Sequence, residues 1–400
     1  MSDPQIIGGL EGVLVTETRL SKVEGAAGVL TIGGFPLEEL APNATFEEVL
    51  HLLWFDRLPT ASELEELRAE LAGLRTIPEP TTDLLKAAAL KKLPTMDALR
   101  MGVDTLTLAD ADPSDVSSEA DMIRVKSITA RIPTVVATYW RLLHGQDPVP
   151  PDPEIRHAAN YLYMLQGEKT HTDAVRALET YINSVVDHGM NNSTFTSRVI
   201  ISTRSDIVSA VVGAIGSLKG PLHGGAPGPA LDMVFEIRAR ADASGKDIQE
   251  EADIWAREVV EGGGRIMGFG HRVYTVRDPR ADVLGTAAVK LFEGVDDTAL
   301  YDDATAVEEV VLDVLAELKP DRSIKTNVEF YTALVLHGVG MESDLFSPTF
   351  AVGRVGGWTA HILEQIAEAR LIRPRAAYSG ELDRVWLPIE ERGNGGSRGG

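Results

Sequence analysis

The chain contains no cysteine among its 400 residues. Disulfide bonds, thiolate metal sites and a cysteine nucleophile are therefore all excluded. The absence fits a reducing compartment such as the cytoplasm.

Basic residues are in deficit. The chain has 38 Lys and Arg against 60 Asp and Glu, which gives a formal net charge of -22. A field of this sign repels nucleic acid and anionic membranes, so neither is an expected partner. Because the same field repels anionic metabolites, any site for such a ligand needs a local cluster of arginines.

Long apolar runs are also missing. No uninterrupted apolar stretch reaches the roughly 18 residues expected of a membrane span. The first residues, MSDPQIIGGLEG, lack the basic and apolar regions of a signal peptide, so a cytoplasmic location is expected. The Gly-rich tail at positions 392–400 is predicted to be disordered.

Helical periodicity dominates what remains. Three Thr or Ser residues each precede a Glu by three positions and open an apolar ladder of helical spacing, a pattern typical of capping boxes. The three pairs are Thr45 with Glu48, Ser62 with Glu65, and Thr305 with Glu308. The predicted fold class is mainly α, because alternating runs long enough for a large sheet are absent.

One short stretch favours strands instead. Between Gly12 and Phe35, β-branched runs at positions 13–18 and 29–32 are separated by Gly25 and Gly28. This pattern predicts a small N-terminal β-hairpin.

Three of the nine histidines lie in Gly-rich or polar segments, where side chains face ligands more often than they face a core. They are His188 in DHGMNNSTFTSR, His223 in GPLHGGAP and His271 in IMGFGHRVYTVRDPR. By contrast, His51, His144, His157 and His171 have no distinctive setting, and His337 follows an apolar run in a predicted helix, which is typical of a structural residue. No H-x-x-x-H or carboxylate pair stands beside the three at ligand spacing, so no metal site is predicted.

Three arginines also stand out by their surroundings. Arg280 follows Asp278-Pro279, Arg354 lies in FAVGRVGGW, and Arg373 lies in RLIRPRAAY. Arginine is the usual bidentate partner of a carboxylate. Three such segments in an acidic protein indicate a pocket for an organic anion.

Together these motifs, in this order, resemble the citrate synthase family. The resemblance runs from GLEGVLVTETRLSKVEGAAGVL at Gly9 to RLIRPRAAYSGELD at Arg370, and it is strongest to the short bacterial and archaeal forms. Its most specific elements are GPLHGGA, GFGHRVY with DPR, NVEFY, and the arginine before GGW.

The resemblance implies a two-domain helical fold that works as a homodimer. A small domain at 220–322 would interrupt a large domain formed by 1–219 and 323–391. The active site would lie in the cleft between them, with one arginine supplied by the partner subunit. No tightly bound cofactor is implied, since acetyl-CoA would be a co-substrate and oxaloacetate the other substrate.

The resemblance also implies roles for the three histidines and one carboxylate. His223 matches the group that hydrogen-bonds the thioester carbonyl, and His271 matches the group that acts on the oxaloacetate ketone. His188 matches a histidine that holds oxaloacetate. Glu329 in NVEFY matches the catalytic base, which is usually Asp in this family, and Val185 stands where relatives often carry a further histidine.

The remaining predicted site residues bind the substrates. Arg280 and Arg354 match the arginines that grip the oxaloacetate carboxylates, and Arg373 matches the one lent across the dimer. For the acyl-CoA, Gly268, Phe269 and Gly270 match the loop that covers the adenine, and Arg322 matches a basic residue near the phosphates.

The implied reaction is condensation of acetyl-CoA with oxaloacetate to citrate and free CoA, through an enolate and the hydrolysis of citryl-CoA. One alternative is 2-methylcitrate synthesis from propionyl-CoA, because one methylene in an apolar pocket is worth only about 1–3 kcal/mol. Another is a weakly active paralogue that binds CoA or citrate as a sensor.

Overall fold

α-Helices make up most of the fold. The computed structural model describes residues 6–223, 227–271, 273–293 and 298–392. The α-helices are α1 (Leu37–Leu40), α2 (Phe46–Phe55), α3 (Ala61–Leu74), α4 (Glu79–Leu90), α5 (Thr95–Asp104), α6 (Ser118–Leu143), α7 (His157–Gln166), α8 (Thr172–Val185), α9 (Asn192–Ile201), α10 (Ile207–Leu218), α11 (Pro227–Ser244), α12 (Ile248–Glu261), α13 (Pro279–Phe292), α14 (Thr298–Leu318), α15 (Val328–Gly338) and α16 (Phe346–Glu368). The predicted fold class, mainly α, is confirmed.

A three-stranded antiparallel sheet precedes the helices. It has the order β1 (Ser21–Glu24), β2 (Val29–Ile32) and β3 (Phe35–Pro36), and Ser21 pairs with Ile32 in its first hairpin. The predicted hairpin is therefore present, but its first strand was placed too early, at 13–18. Instead of joining a strand ladder, the backbone N–H of Arg19 donates to the carboxylate of Glu364 at 3.1 Å.

One of the three predicted capping boxes is confirmed as written and one is shifted. Thr45 and Glu48 cap α2 reciprocally. At α3 the pair is Thr60 with Glu63 rather than the predicted pair two residues later. Glu63 also binds Arg57 in the preceding turn, and this additional ion pair favours the earlier start.

The third predicted helix start is wrong. Thr305 lies inside α14, where its hydroxyl donates to the carbonyl of Tyr301 at 3.1 Å. A threonine hydroxyl satisfied by its own helix in this way resembles a cap in sequence only. The predicted end of the helix, at Lys319-Pro320, is confirmed because α14 ends at Leu318.

The core is built around α16, which is almost wholly buried between Phe346 and Ile362. It packs against α6, α8, α9 and α10. The approach to α8 is closest at Gly357, where a Cβ atom would lie 2.2 Å from the carbonyl oxygen of Val186. Only glycine fits there, so the GGW motif brings the end of α8 against α16.

Two compact units describe the chain. One spans Thr18–Leu371 and holds every helix and strand named above. The other combines the two ends, residues 6–17 and 372–392 of which are described, and there the Arg392 guanidinium lies 5.6 Å from the Trp386 ring. The predicted division at 220 and 322 stays a prediction, and positions 393–400 of the predicted tail lie outside the described residues.

None of the helices in the described ranges is both long and apolar enough to cross a membrane.

Candidate active site

The GFGH loop is fastened to the start of α15. Gly268 and Gly270 have φ values of +86° and +82°, which residues other than glycine rarely adopt. Asn327 donates from its backbone to the Gly268 carbonyl at 2.9 Å and from its side chain to the Gly270 carbonyl at 2.7 Å. Asn327 is also the N-cap of α15 and accepts from the backbone N–H of Glu329 at 2.9 Å. The loop that carries His271 and the first turn of the helix that carries Glu329 are thus held together.

Arg280 is fixed at the start of α13 by the residue that caps that helix. Asp278 accepts from the Arg280 backbone N–H at 3.0 Å, from its Nε at 3.0 Å and from its Nη2 at 2.7 Å. The same carboxylate accepts from the backbone N–H of Val328 at 3.3 Å, and both charged side chains are buried. Asp278 therefore joins α13 to α15 and orients the guanidinium beside His271, whose Nε2 lies 3.4 Å from Nη2.

The tautomer of His271 follows from its backbone contacts. Nδ1 accepts from the N–H groups of Val273 and Tyr274 at 3.0 and 3.1 Å, so the proton of the neutral ring is on Nε2. Burial and the nearby charge of Arg280 lower the pKa of His271 to about 4. At neutral pH the ring is uncharged, and Nε2–H and the Arg280 guanidinium can donate to one oxygen atom between them.

His188 lies next to this pair. Its Nε2 is 3.1 Å from the hydroxyl of Tyr274, and its ring centroid is 5.8 Å from that of His271. Burial, then the charges of Arg280 and Arg354, hold the pKa of His188 well below its usual value. The structure therefore gathers two neutral imidazoles, one phenol and two guanidinium groups.

His223 takes the opposite tautomer. Its Nε2 accepts from the backbone N–H of Ser193 at 3.3 Å and lies 2.8 Å from the Ser193 hydroxyl. That hydroxyl in turn lies 2.8 Å from Asn191 Oδ1 and accepts from the indole N–H of Trp358 at 3.0 Å. The proton of neutral His223 is therefore on Nδ1, and burial followed by the charge of Arg354 lowers its pKa to about 4.

Arg354 contributes a buried cation from the centre of α16. It is 1% exposed, its Nε donates to the carbonyl of Val185, and its guanidinium lies 4.6 Å from the Phe350 ring centroid. Burial lowers its pKa to about 10, and the neighbouring Asp187 carboxylate opposes that shift. Arg354 thus stays charged at neutral pH, because this pKa lies well above 7.

The carboxyl group of Glu329 has a pKa close to neutral pH. Burial raises its pKa to about 7, while the charges of Arg280 and Arg354 act in the opposite direction and Asp278 adds to the rise. A carboxyl with this pKa is an effective general base at neutral pH. Because Arg354 acts electrostatically on Glu329, His188 and His223 alike, these four predicted residues surround one region.

A cavity of about 590 Å³ adjoins this region. Gly268, Phe269, Gly270 and His271 line one part of it, and Arg322 lines another. Two further cations that the sequence did not single out, Arg265 and Lys319, also line it. The cavity therefore combines a glycine-rich wall with three positive side chains, which suits a flat ring that carries phosphates.

Arg373 is the one predicted site residue in the terminal unit, where its side chain is exposed. Its contribution to the site stays a prediction.

Sequence reasoning missed three residues that hold the site together. Ser193 sets the tautomer of His223, Asp278 orients Arg280, and Tyr274 binds His188. Asp278-Pro279 carried a usable signal, because Asp before Pro is typical of a helix N-cap. Ser193 and Tyr274 had none, since each acts on a residue distant in sequence.

Comparison with known proteins identifies the class. The family model described as "Citrate synthase, C-terminal domain" matches residues 9–375. The chain belongs to the citrate synthase family.

Similar proteins cover nearly the whole chain. The citrate synthase of Haloferax volcanii is 42% identical over 96% of this chain and 98% of its own. The 2-methylcitrate synthase 1 of Corynebacterium glutamicum is 35% identical over 98% of this chain and 100% of its own.

Solved structures agree. Citrate synthase from Pyrobaculum aerophilum superposes with a TM-score of 0.83 at 33% identity, covering 97% of this chain and 95% of its own. A ternary complex of carboxymethyl coenzyme A and oxaloacetate with citrate synthase from Thermoplasma acidophilum gives a TM-score of 0.85 at 29% identity, covering 97% and 100%.

Proposed function

We propose that this protein condenses acetyl-CoA with oxaloacetate and releases citrate and free CoA. The observation that carries the proposal is the placement of Glu329, with a pKa of about 7, among Arg280, Arg354 and two neutral histidines of opposite tautomer. Family membership and the relatives named citrate synthase support the same assignment.

The first step removes a proton from the acetyl methyl group. The Glu329 carboxylate takes the proton, and the electron pair of the C–H bond moves toward the thioester oxygen. Nδ1–H of His223 donates to that oxygen and stabilises the enolate as it forms. His223 is neutral, so it stabilises the enolate by donating a hydrogen bond and not by carrying a positive charge.

The second step forms the new carbon–carbon bond. The enolate carbon attacks the ketone carbon of oxaloacetate, and Nε2–H of His271 donates its proton to the ketone oxygen. Arg280 and Arg354 hold the carboxylates through charge-assisted hydrogen bonds, and His188 adds a further contact. This orientation makes the two carbons near neighbours before reaction, which accounts for a large part of the rate.

The last step hydrolyses the thioester of citryl-CoA. Water returns a proton to His271 as it adds to the thioester carbon. The carbon–sulfur bond then breaks, and the thiolate takes the proton held by Glu329 and leaves as CoA, so that both residues return to their starting states. We propose that the CoA moiety occupies the 590 Å³ cavity, with its adenine against Gly268, Phe269 and Gly270 and its phosphates near Arg322.

Two further parts of the proposal concern assembly. We propose that 220–322 closes as a small domain over the cleft and delays hydrolysis until condensation is complete. Small-angle scattering tests this closure: oxaloacetate with a CoA analogue reduces the radius of gyration, and identical curves with and without ligands contradict it. Cytoplasmic action is part of the same proposal.

We also propose that Arg373 of a second copy completes each site. Arg373→Gln and Glu329→Gln are each expected to abolish turnover when expressed alone. Co-expression places one intact Glu329 and one intact partner arginine in the same site of mixed dimers, so about a quarter of wild-type activity returns. If Arg373 acted within its own subunit, no mixed dimer would hold a complete site and no activity would return.

Thiol release tests the reaction itself. Acetyl-CoA and propionyl-CoA are each assayed with and without oxaloacetate. The proposal requires oxaloacetate-dependent release that is fastest with acetyl-CoA. Faster release with propionyl-CoA would assign the 2-methylcitrate reaction, and no release with either would favour a binding protein without activity.

A further inference from the structure

Tyr181 on α8 carries a buried hydroxyl group for which the mechanism above has no role. Its side chain is fully buried, and its hydroxyl has no hydrogen-bond partner among the described residues. Buried hydroxyls are nearly always paired, because an unpaired one has lost its hydrogen bonds to water without replacement. The unpaired hydroxyl of Tyr181 therefore suggests that a hydrogen-bond acceptor reaches it when a neighbouring side chain changes its conformation or its charge.

The surroundings of Tyr181 show where that partner lies. α8 packs against α13, α15 and α16, the helices that carry Arg280, Glu329 and Arg354. Burial raises the pKa of Tyr181 well above its usual value, and the charge of Glu329 adds to that rise, while Arg354 and Arg280 oppose it. The phenol therefore stays protonated throughout the neutral range, and the helix that carries it, α8, packs directly against α15, which carries Glu329.

The other charged groups around Glu329 are accounted for. Asp278 and Arg280 act on it from the start of α13, and Arg354 acts on it from α16. α11 also packs against α15, but its charged side chains are engaged or exposed: Arg238 pairs with Asp303, Arg240 pairs with Glu236 and Glu258, and Asp232 and Asp242 are exposed. Tyr181 thus differs from Asp278, Arg280 and Arg354 because it is an uncharged hydrogen-bond donor.

We propose that Tyr181 is a positioning residue for the base, and that its hydroxyl donates a hydrogen bond to the ionised carboxylate of Glu329. This inference rests on the proposed function, which makes Glu329 the base. A glutamate has one more rotatable bond than the aspartate usual in this family, so its carboxylate can turn toward α8. The hydrogen bond then restrains that extra freedom and favours the charged form.

The test compares two buried tyrosines. Tyr181→Phe removes only the hydroxyl. Tyr161→Phe is the matched control, because Tyr161 is equally buried but its hydroxyl already pairs with Thr349 at 2.9 Å. In Tyr181→Phe the acidic limb of the kcat/KM profile moves up by about one pH unit. Activity therefore falls about tenfold at pH 6 and changes less than about twofold at pH 9, whereas the control keeps the wild-type limb.

A second readout does not depend on turnover. The infrared band of the protonated Glu329 carboxyl is assigned by its loss in E329Q and is then titrated in each protein. The midpoint is expected to rise in Tyr181→Phe and to stay in place in Tyr161→Phe. Absence of thiol release from wild-type protein would defeat the proposed function, yet this titration would still decide the role of Tyr181.

Two results overturn the proposal. One is an unchanged midpoint in Tyr181→Phe. The other is a raised KM for oxaloacetate with an unchanged acidic limb, which would make the hydroxyl a ligand of the substrate instead. At pH 5, where Glu329 is protonated and the proposed bond to its carboxylate is absent, the unfolding temperature of Tyr181→Phe should equal or exceed that of wild type.

Discussion

The half-buried side chain of Glu329 predicts an unusual pH dependence for turnover. With a pKa of about 7, the base is ionised above that pH and protonated below it. Its ionised fraction rises from about a tenth at pH 6 to about nine tenths at pH 8, so kcat/KM should rise about tenfold across this range. His223 and His271, with pKa values of about 4, stay neutral throughout and add no second limb.

The assay is thiol release at saturating oxaloacetate, with kcat/KM for acetyl-CoA measured from pH 5.5 to 9 at constant ionic strength. Glu329→Gln should lower the rate by at least about 1000-fold and remove the limb, because the amide cannot accept the proton. Glu329→Asp keeps the charge but withdraws it by about one methylene. A misplacement near 1 Å costs about 100-fold, so its rate should lie between those of the other two proteins.

Two outcomes would refute this reasoning. A flat wild-type profile between pH 6 and 8 would mean that the carboxyl is already fully ionised, and that burial does not control it. A limb that persists in Glu329→Gln would assign the titration to another group.

Three further substitutions test the supports of the site. Ser193→Ala leaves the buried indole N–H of Trp358 without its acceptor. The free energy of unfolding should therefore fall by about 1–3 kcal/mol, and kcat by about tenfold or more. The control Ser197→Ala, in the same helix, should retain activity within about twofold, and equal losses in the two variants would contradict a special role for Ser193. Gly357→Ala forces a Cβ against the α8 backbone and should cost at least about 1–3 kcal/mol in urea unfolding, while Gly216→Ala, where a Cβ meets nothing within 4 Å, should be neutral or stabilising. Asp278→Asn removes one partner of the buried ion pair with Arg280 and should lower the free energy of unfolding by about 3 kcal/mol or more. It should also move the acidic limb of kcat/KM to lower pH, because Asp278 raises the pKa of Glu329. A limb that moves to higher pH would contradict this.

The local features of this protein were readable from its sequence. Helical spacing predicted a mainly α fold, because a period of 3.6 places apolar side chains on one face whatever the rest of the chain does. The cap at Thr45 followed for the same reason, since both of its bonds lie within four residues. At α3 two capping pairs were possible, Thr60 with Glu63 and Ser62 with Glu65. The ion pair between Glu63 and Arg57 of the preceding turn favours the first.

Motifs also carried the candidate site as far as residue types allow. The resemblance indicated the histidines, the arginines and Glu329 from their neighbours in sequence, and the structure brings His188, His223, His271, Arg280, Arg354 and Glu329 of this set around one region.

Only the tertiary structure decided how those groups behave. The two histidines donate from different nitrogens because Ser193 binds Nε2 of His223 while backbone N–H groups bind Nδ1 of His271. Glu329 reaches a pKa of about 7 because helices far apart in sequence exclude water from it. Tautomer and acidity depend on desolvation and on contacts between distant segments, and neither is written in any single stretch of the chain.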